Sequence, residues 1–306
     1  MEDKIYYCEP VFRPPSEANS LLIQVTEGCT YQCDFCMSNL RKKFVIRDTV
    51  DIKKDLEIAA RKNWYRKVNK IFFLDSNAMV TPYEKLLEIT EYAMKRFPNL
   101  ERCGVYAHAK DILKKSNEHL KNLSDAGLKI AYVGFESGYD DLLKNVNKHA
   151  TKQDYIKASK KLMNANITLS ATFINGLGGG NNPEISRKHA KESADLVNKI
   201  CPTDSRIWYI AFLTLMVPSG TQIFKKKMKG EFKEMDAIEI LQELKIFIKE
   251  IKFENEKANC IFRSNHASNY LPIKGILERE KEKILNVIDY GLTNTEILRP
   301  DFFRAL

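Results

Sequence analysis

Six strand-like segments, each followed by a helix-like segment, alternate along the chain. The candidate strands are short and rich in β-branched and aromatic residues: Leu21–Thr26, Lys70–Leu74, Arg102–Tyr106, Lys129–Gly134, Ile167–Ile174 and Ser205–Leu215. Repeated strand–helix units predict a parallel sheet with right-handed crossovers. Six units are fewer than the eight of a complete barrel. The order of segments therefore predicts an α/β protein with an open, partial (β/α)6 TIM-like barrel.

This alternation stops near residue 222. A long helix, an extended piece at Ala258–Arg263 and a second helix are expected there, as a mainly helical C-terminal extension packed on the core. We expect a lead-in over 1–20, a core over 21–221 and the extension over 222–306. Three capping boxes are predicted at helix starts: Thr81–Glu84 with proline at the first helical position, Thr151–Asp154 and Asp236–Glu239.

Cys29, Cys33 and Cys36 form a tight cysteine cluster within Gly28–Cys36. Three thiolates at this spacing suit a cubane [4Fe–4S] cluster held through three irons, because a cluster held wholly by protein takes four cysteines. The open iron is then a place for chemistry, as the open position of catalytic zinc is. Half of a zinc site, completed by a distant Cys or His, is the alternative. The other cysteines are isolated and the histidines scattered, so the usual second pair of zinc ligands is not evident.

Composition narrows the class of protein. The hydrophobic content of 44% and charged content of 29% are typical of a soluble globular protein. Met1–Ile5 lacks an apolar run, so no signal peptide is expected, and no stretch approaches the roughly 18 apolar residues of a membrane span. Seven cysteines favour a reducing compartment, and hence the cytoplasm, over a disulfide framework. The net charge of +9 includes the run Lys225–Lys229, which a solvated face explains better than a nucleic-acid surface.

The cysteine stretch, with Phe35 before the last cysteine and the apolar run Leu21–Thr26 ahead, resembles the cluster motif of the radical S-adenosylmethionine (SAM) superfamily. Arg13–Ser20 and Glu136-Ser137-Gly138 resemble its coproporphyrinogen-oxidase-like, Elongator-type branch. The resemblance covers roughly residues 15–220. It implies a [4Fe–4S] cluster on Cys29, Cys33 and Cys36, an open iron chelated by SAM, and Tyr31 and Phe35 beside the cofactor.

The resemblance also implies SAM-holding elements at strand ends. Many relatives carry Gly-Gly-Glu after the second strand, where this chain has Asp75-Ser76-Asn77, so Asp75 or Asn77 is expected to accept from the SAM ammonium. An Asx turn is the alternative. Glu136, with Ser137, is expected to contact the SAM ribose or amine, with a helix-cap carboxylate as the alternative.

Two further elements are expected at the cofactor and the substrate. Ile174-Asn175-Gly176 follows the fifth strand, and in members of the family a similar glycine-containing element flanks the adenine of SAM. The alternative is that this segment is a flexible loop. His108, after the third strand, is expected to donate a proton or contact substrate, unless it is an ordinary buried polar residue.

A polar segment, Arg263–Tyr270, is expected to close the open barrel, unless it is an ordered polar loop. There Arg263 would pair with a substrate carboxylate or phosphate, and His266 and Asn269 would donate or accept hydrogen bonds.

The activity that the resemblance implies is reductive cleavage of SAM, followed by hydrogen-atom abstraction from an unidentified small molecule. Such an oxidoreductase needs a low-potential electron donor of the flavodoxin or ferredoxin type, and neither membrane nor nucleic acid is an expected partner. An RNA-modifying radical SAM enzyme and a non-catalytic metal-binding module remain the alternatives.

Overall fold

The computed structural model describes residues 4–62, 64–255 and 257–305. Residues 1–3 of the expected lead-in, and residue 306 of the expected extension, lie outside these ranges. The strands are β1 (Leu21–Gln24), β2 (Thr26–Glu27), β3 (Val45–Ile46), β4 (Lys70–Leu74), β5 (Arg102–Ala107), β6 (Leu128–Glu136), β7 (Thr168–Asn175), β8 (Ile207–Thr214), β9 (Asn259–Ser264) and β10 (Ile273–Ile276). The α-helices are α1 (Thr49–Ala60), α2 (Tyr83–Arg96), α3 (Ala109–Lys114), α4 (Asn117–Asp125), α5 (Asp140–Asn145), α6 (Lys152–Asn164), α7 (Pro183–Ile200), α8 (Gln222–Met228), α9 (Ala237–Glu250) and α10 (Leu277–Thr293).

The chain forms two compact units, and the first contains the described residues of Met1–Gln32, Ser38–Val133 and Lys157–Leu169. In this unit β1, β4, β5 and the start of β6 pair in parallel, in that order. Ile23, for example, lies opposite Phe73. Parallel strands all end at the same edge of a sheet. The loops after β1, β4 and β5 therefore leave this unit from one edge.

The second unit contains Cys33–Met37, Gly134–Ile156 and the described residues of Ser170–Leu306. Here β7, β8 and β9 pair in parallel, and β10 is antiparallel to β9. On one face the rings of Phe173 and Phe212 stack 5.2 Å apart, and Phe212 lies 4.5 Å from Phe247 of α9. The buried core of the unit thus lies between this face and α9.

The six predicted strands are confirmed as β1, β4, β5, β6, β7 and β8, with small shifts at their ends. The fold is a mixed α/β fold with a parallel central sheet. The predicted extended piece is also confirmed, as β9. Because β9 pairs in parallel with β8 and β10 then pairs with β9, the C-terminal region holds two strands besides its helices. The expected domain boundary at 221/222 falls inside the second unit and stays an expectation.

Two of the three predicted capping boxes are confirmed. Asp236 and Glu239 cap α9 reciprocally, and Thr151 and Asp154 exchange hydrogen bonds at the start of α6. The box at Thr81 is wrong. Pro82 occupies the position before the first helical residue of α2, and no side chain caps that helix. The carbonyl of Thr81 instead accepts from the buried Lys115 ammonium, 2.9 Å away.

The helices of the described residues include none with the length and apolar character needed to cross a membrane.

Candidate functional site

The predicted site residues lie at the carboxyl ends of the parallel strands, where loops of α/β folds carry chemistry. In the first unit these are Cys29 and Tyr31 after β1, Asp75 and Asn77 after β4, and His108 after β5. The second unit contains Cys33, Phe35 and Cys36, and the residues at the ends of β6, β7 and β9.

Cys29 begins the cysteine stretch at a sharp turn. Gly28 before it has a φ of +64°, and a Cβ there would lie 3.2 Å from the backbone of Lys42, so glycine suits the position. The Cys29 Sγ accepts from the Tyr31 N–H at 3.4 Å. The ring of Tyr31 stacks on the His108 ring, with 3.8 Å between centroids. The structure therefore places the predicted His108 beside Tyr31, two residues after Cys29.

Asp75 already has a cationic partner. The Lys42 Nζ lies 2.7 Å from the Asp75 Oδ2, and both side chains are almost fully buried. The Asp75 N–H donates to the Thr26 hydroxyl at 3.2 Å. A SAM ammonium at Asp75 would therefore share this carboxylate with Lys42, which the sequence did not indicate.

Asn77 has a structural role, and its expected contact with SAM stays a prediction. Its amide nitrogen donates to the Asp111 Oδ2 at 2.7 Å, and its amide oxygen accepts from the His108 N–H at 2.9 Å. The side chain is buried. Because both ends of the amide are used, Asn77 joins the loop after β4 to the start of α3 and positions His108. The His108 ring nitrogen Nδ1 in turn accepts from the Lys110 N–H at 3.3 Å and caps α3.

Asp34, between two motif cysteines, fixes its segment inside the second unit. Its Oδ1 accepts from the Asn147 side chain and its Oδ2 from the Lys226 ammonium, each at 2.6 Å. Its backbone N–H donates to the Val146 carbonyl, and its carbonyl accepts from the Ile223 N–H, both at 3.0 Å. Sequence reasoning missed this role, although a lone aspartate inside the motif was the available signal.

Phe35 and Cys36 complete this segment. The Cys36 N–H donates to the Cys33 carbonyl at 3.0 Å, which forms a tight turn between the two cysteines. Phe35 packs against an apolar cluster that includes Leu142, Val146 and Leu177. The segment is therefore held both by Asp34 and by apolar packing.

Glu136 ends β6 next to a buried cation. The Lys148 Nζ lies 2.8 Å from the Glu136 Oε1, with 8% and 10% of the two side chains exposed. Burial by itself lowers the pKa of Lys148, but the Glu136 carboxylate outweighs burial, with the Cys33 thiol and Tyr155 adding to it, and the net pKa is raised. A Cβ at Gly134 would lie 2.1 Å from the Glu136 Oε1, so glycine there leaves room for the carboxylate.

A buried polar network connects the loops after β6 and β7. The Ser137 Oγ lies 2.7 Å from the His189 Nδ1, and the His189 Nε2 lies 3.1 Å from the Ile174 carbonyl. Glu243, from α9, accepts from the Gly176 N–H at 2.7 Å and from the Ser186 hydroxyl at 2.5 Å. Ser137 is therefore a positioning residue in this structure, because its hydroxyl lies against His189. The sequence gave no sign that α9 supplies a carboxylate to the Gly176 loop.

Asn175 lies in the same region with an unused acceptor. Its side chain is buried, and within the ranges that the structure describes its Oδ1 has no hydrogen-bond partner. A buried amide oxygen without a partner costs free energy unless a ligand donates to it. Asn175 therefore fits its expected place beside a bound cofactor.

The polar segment after β9 divides into two roles. Arg263 lies on β9, with its guanidinium 4.8 Å from the centroid of the Tyr209 ring. Asn269 accepts from the Thr214 hydroxyl and donates to the Phe212 carbonyl. Its expected contact with substrate stays a prediction.

The His266 Nδ1 lies 2.9 Å from the Ser268 Oγ and accepts from the Ser268 N–H, so this nitrogen shapes its own loop. Burial, together with the Arg299 guanidinium, lowers the pKa of His266. In its expected contact with substrate, the His266 ring would therefore be neutral at pH 7.

The seven thiols differ in what they can bind. None of them forms a disulfide, and burial raises the pKa of Cys8, Cys103, Cys201 and Cys260. Thiols of raised pKa are poor metal ligands, because the thiolate is the ligand. Cys29, Cys33 and Cys36 are half-buried, and three sulfur donors suit iron. No three Cys, His, Asp or Glu side chains of the described ranges are grouped as a metal site, so the motif spacing carries the cluster assignment.

The sequence profile of the radical SAM superfamily matches residues 23–188. A search of curated proteins gave no match.

Solved structures share the fold. A radical SAM methyltransferase from Kitasatospora setae, with cobalamin and a [4Fe–4S] cluster bound, is 17% identical at a TM-score of 0.53, over 68% of this chain and 39% of that chain. Methylornithine synthase is 14% identical at a TM-score of 0.50, over 88% of this chain and 80% of that chain. Coproporphyrinogen III oxidase from Escherichia coli is 13% identical at a TM-score of 0.50, over 76% of this chain and 52% of that chain. This chain thus spans about two fifths of the first of these proteins, and such identities show the fold alone.

Proposed function

Because the chain belongs to the radical SAM superfamily, we propose that Cys29, Cys33 and Cys36 hold its [4Fe–4S] cluster. The cofactors of this enzyme class are that cluster and SAM. The observation that carries the proposal is the spacing of the three cysteines in the motif. In the second unit, Asp34 fixes the part of the motif that contains Cys33 and Cys36, through its backbone and both of its carboxylate oxygens. A bound, reduced cluster would supply the electron that cleaves SAM to methionine and a 5′-deoxyadenosyl radical.

Residues of the second unit supply the proposed SAM contacts. Glu136 presents a carboxylate whose charge Lys148 balances, so it can accept from a cationic or hydroxyl group without being left as an isolated buried charge. Asn175 supplies a free acceptor, and Ile174 and Gly176 flank it on a loop that His189 and Glu243 hold. These residues bind and orient the cofactor, and the apolar packing around Phe35 excludes water.

Residues of the first unit supply further proposed contacts. Tyr31 and His108 form a stacked pair beside Cys29, and Asp75 offers a carboxylate shared with Lys42. His108 is proposed to contact substrate through its ring, whose position Asn77 and Tyr31 fix.

The proposed reaction removes a hydrogen atom from a small molecule, with 5′-deoxyadenosine as the accompanying product. Enzymes of this class need a reductant, and we propose a flavodoxin or ferredoxin. Seven cysteines that form no disulfide favour the reducing cytoplasm as the location of this enzyme.

Anaerobic incubation of the reconstituted protein with SAM and dithionite tests this function. We expect 5′-deoxyadenosine and methionine by mass spectrometry, and neither product from the variant with all three motif cysteines changed to Ala. S-adenosylhomocysteine in their place would instead indicate methyl transfer. A fully cluster-loaded protein that yields no product from SAM would contradict the proposal.

A further inference from the structure

The two faces of the sheet in the second unit have different environments. Side chains alternate between the faces of a strand. On β8, Trp208, Ile210 and Phe212 are buried on the face that packs against α9, whereas Tyr209 and Ala211 on the other face are half-buried. On β9, Arg263 shares the half-buried face, directly beside Ala211 in the parallel register. This second face is therefore accessible and carries a cation.

A second cation stands directly opposite Arg263. In the antiparallel pair of β9 and β10, Lys274 is the cross-strand partner of Arg263, so both side chains project from the same face. Their flanking partners, Ser264 and Ile273, are both buried on the opposite face. Like charges directly opposite each other destabilise a sheet. An anion bound between Arg263 and Lys274 would therefore reduce the repulsion between the two charges.

The described part of the chain supplies no such anion. Within those ranges neither Arg263 nor Lys274 forms an ion pair or a side-chain hydrogen bond, although other cations of the same unit do, for example Arg304 with Asp301. The contact that Arg263 makes is with the face of the Tyr209 ring. Such stacking holds the planar guanidinium while leaving its N–H donors free.

We propose that Arg263 and Lys274, with Tyr209 as the stacking support, bind an oxyanion of the substrate, either a carboxylate or a phosphate. The guanidinium presents a planar set of donors that matches either group, and the Lys274 ammonium adds a second charge. The assignment of the anion to the substrate rests on the proposed function. The binding of an oxyanion at this site is independent of that function.

Thermal unfolding of the whole protein in inorganic phosphate or malonate, at constant ionic strength, tests the site. An anion that binds only the folded state raises the melting temperature according to its concentration and affinity. We expect wild-type protein to be stabilised, and Arg263→Gln to bind the anion at least about tenfold more weakly, since charge-assisted hydrogen bonds are lost. Whichever of the two anions stabilises the protein more identifies the preferred group.

Two further variants make the test specific. Lys274→Gln removes one of the two like charges, so without anion it should be at least as stable as wild type, yet it should lose most of the anion effect. Arg187→Gln, on the exposed surface of α7, removes one charge elsewhere and should keep the effect.

Equal stabilisation of wild type, Arg263→Gln and Lys274→Gln, or none in wild type, would overturn the site. If Arg263→Gln does not fold, Lys274→Gln decides. Because these measurements need neither SAM nor a reductant, failure of the proposed SAM cleavage leaves their result unaffected.

Discussion

The Lys148 ammonium and the Glu136 carboxylate form an ion pair 2.8 Å long in which about nine tenths of each side chain is buried. A carboxylate in this setting is costly without a partner, because desolvation penalises the charged form. Lys148 therefore makes a charged Glu136 possible at the end of β6. The pair fixes the position of the carboxylate that we propose contacts SAM.

Breaking this pair should destabilise the protein strongly. Lys148→Met leaves Glu136 buried without a counter-charge, and we expect a loss of about 3–5 kcal/mol in the free energy of unfolding. The double variant with Glu136→Gln should recover most of that loss. Urea unfolding measures both, and Lys144→Met, at an exposed lysine of α5, is the control. A Lys148→Met protein as stable as that control would show that the pair does not form.

Glu136→Gln should weaken SAM binding and leave the cluster intact. A charge-assisted hydrogen bond contributes roughly 1.5–3 kcal/mol, so an affinity loss of about tenfold or more is expected. Equilibrium binding of SAM to the anaerobic protein measures the affinity, and iron analysis checks the cluster. Unchanged affinity would restrict Glu136 to its role as the counter-ion of Lys148.

Ala substitution of Cys29, Cys33 or Cys36 should each abolish the cluster absorbance and SAM cleavage, because each thiolate holds one iron. Cys8, Cys103, Cys201 and Cys260 are the matched controls and should tolerate Ala with the cluster retained. Reconstituted wild type should contain about four irons per chain, the content of one cubane. Full iron and sulfide in the triple Ala variant, or about eight irons in wild type, would contradict the assignment.

Glu243 should contribute to the stability of the Gly176 loop from a distance in sequence. Glu243→Ala leaves the Gly176 N–H and the Ser186 hydroxyl without their acceptor, and each buried unsatisfied group costs about 1–3 kcal/mol. We expect a loss of about 2–5 kcal/mol in urea unfolding, and weaker SAM binding at temperatures where the protein is folded. Gln242→Ala, exposed on the same helix, is the control. If both variants unfold at the same urea concentration, the network contributes nothing.

Lys115 should make stability depend on pH above neutrality. Burial lowers the pKa of Lys115 from 10.5 to about 8. Between about 8 and 10.5 the unfolded chain binds more protons than the folded chain, so this group makes stability rise with pH across that window, by up to about 3 kcal/mol. Below about 8 both states are protonated, and its contribution is constant.

Unfolding of wild type and Lys115→Met across this range isolates the effect. As the pH rises from 8 to 10, wild type should become more stable relative to Lys115→Met. Lys114→Met removes the neighbouring lysine, whose side chain is 70% exposed, and should follow wild type. Parallel pH profiles for wild type and Lys115→Met would show that Lys115 titrates normally.

The sequence by itself determined the strand–helix order, the cysteine motif and the placement of candidate ligands at strand ends. These features depend on local patterning and on spacing along the chain, which are visible in one dimension. The capping boxes at Thr151 and Asp236 were predictable for the same reason. The role of Asp34 in fixing its segment could not be predicted, because its partners Asn147 and Lys226 are remote from it in sequence.

Only the tertiary structure decided which polar residues are free to bind a ligand. Asn77 and Asn269 have their hydrogen-bonding groups used by neighbours distant in sequence, whereas Asn175 keeps an acceptor unused. Likewise, Lys274 became significant only when strand pairing placed it opposite Arg263. Residue type fixes what a side chain can donate or accept, but long-range packing decides whether a protein group has already taken that capacity.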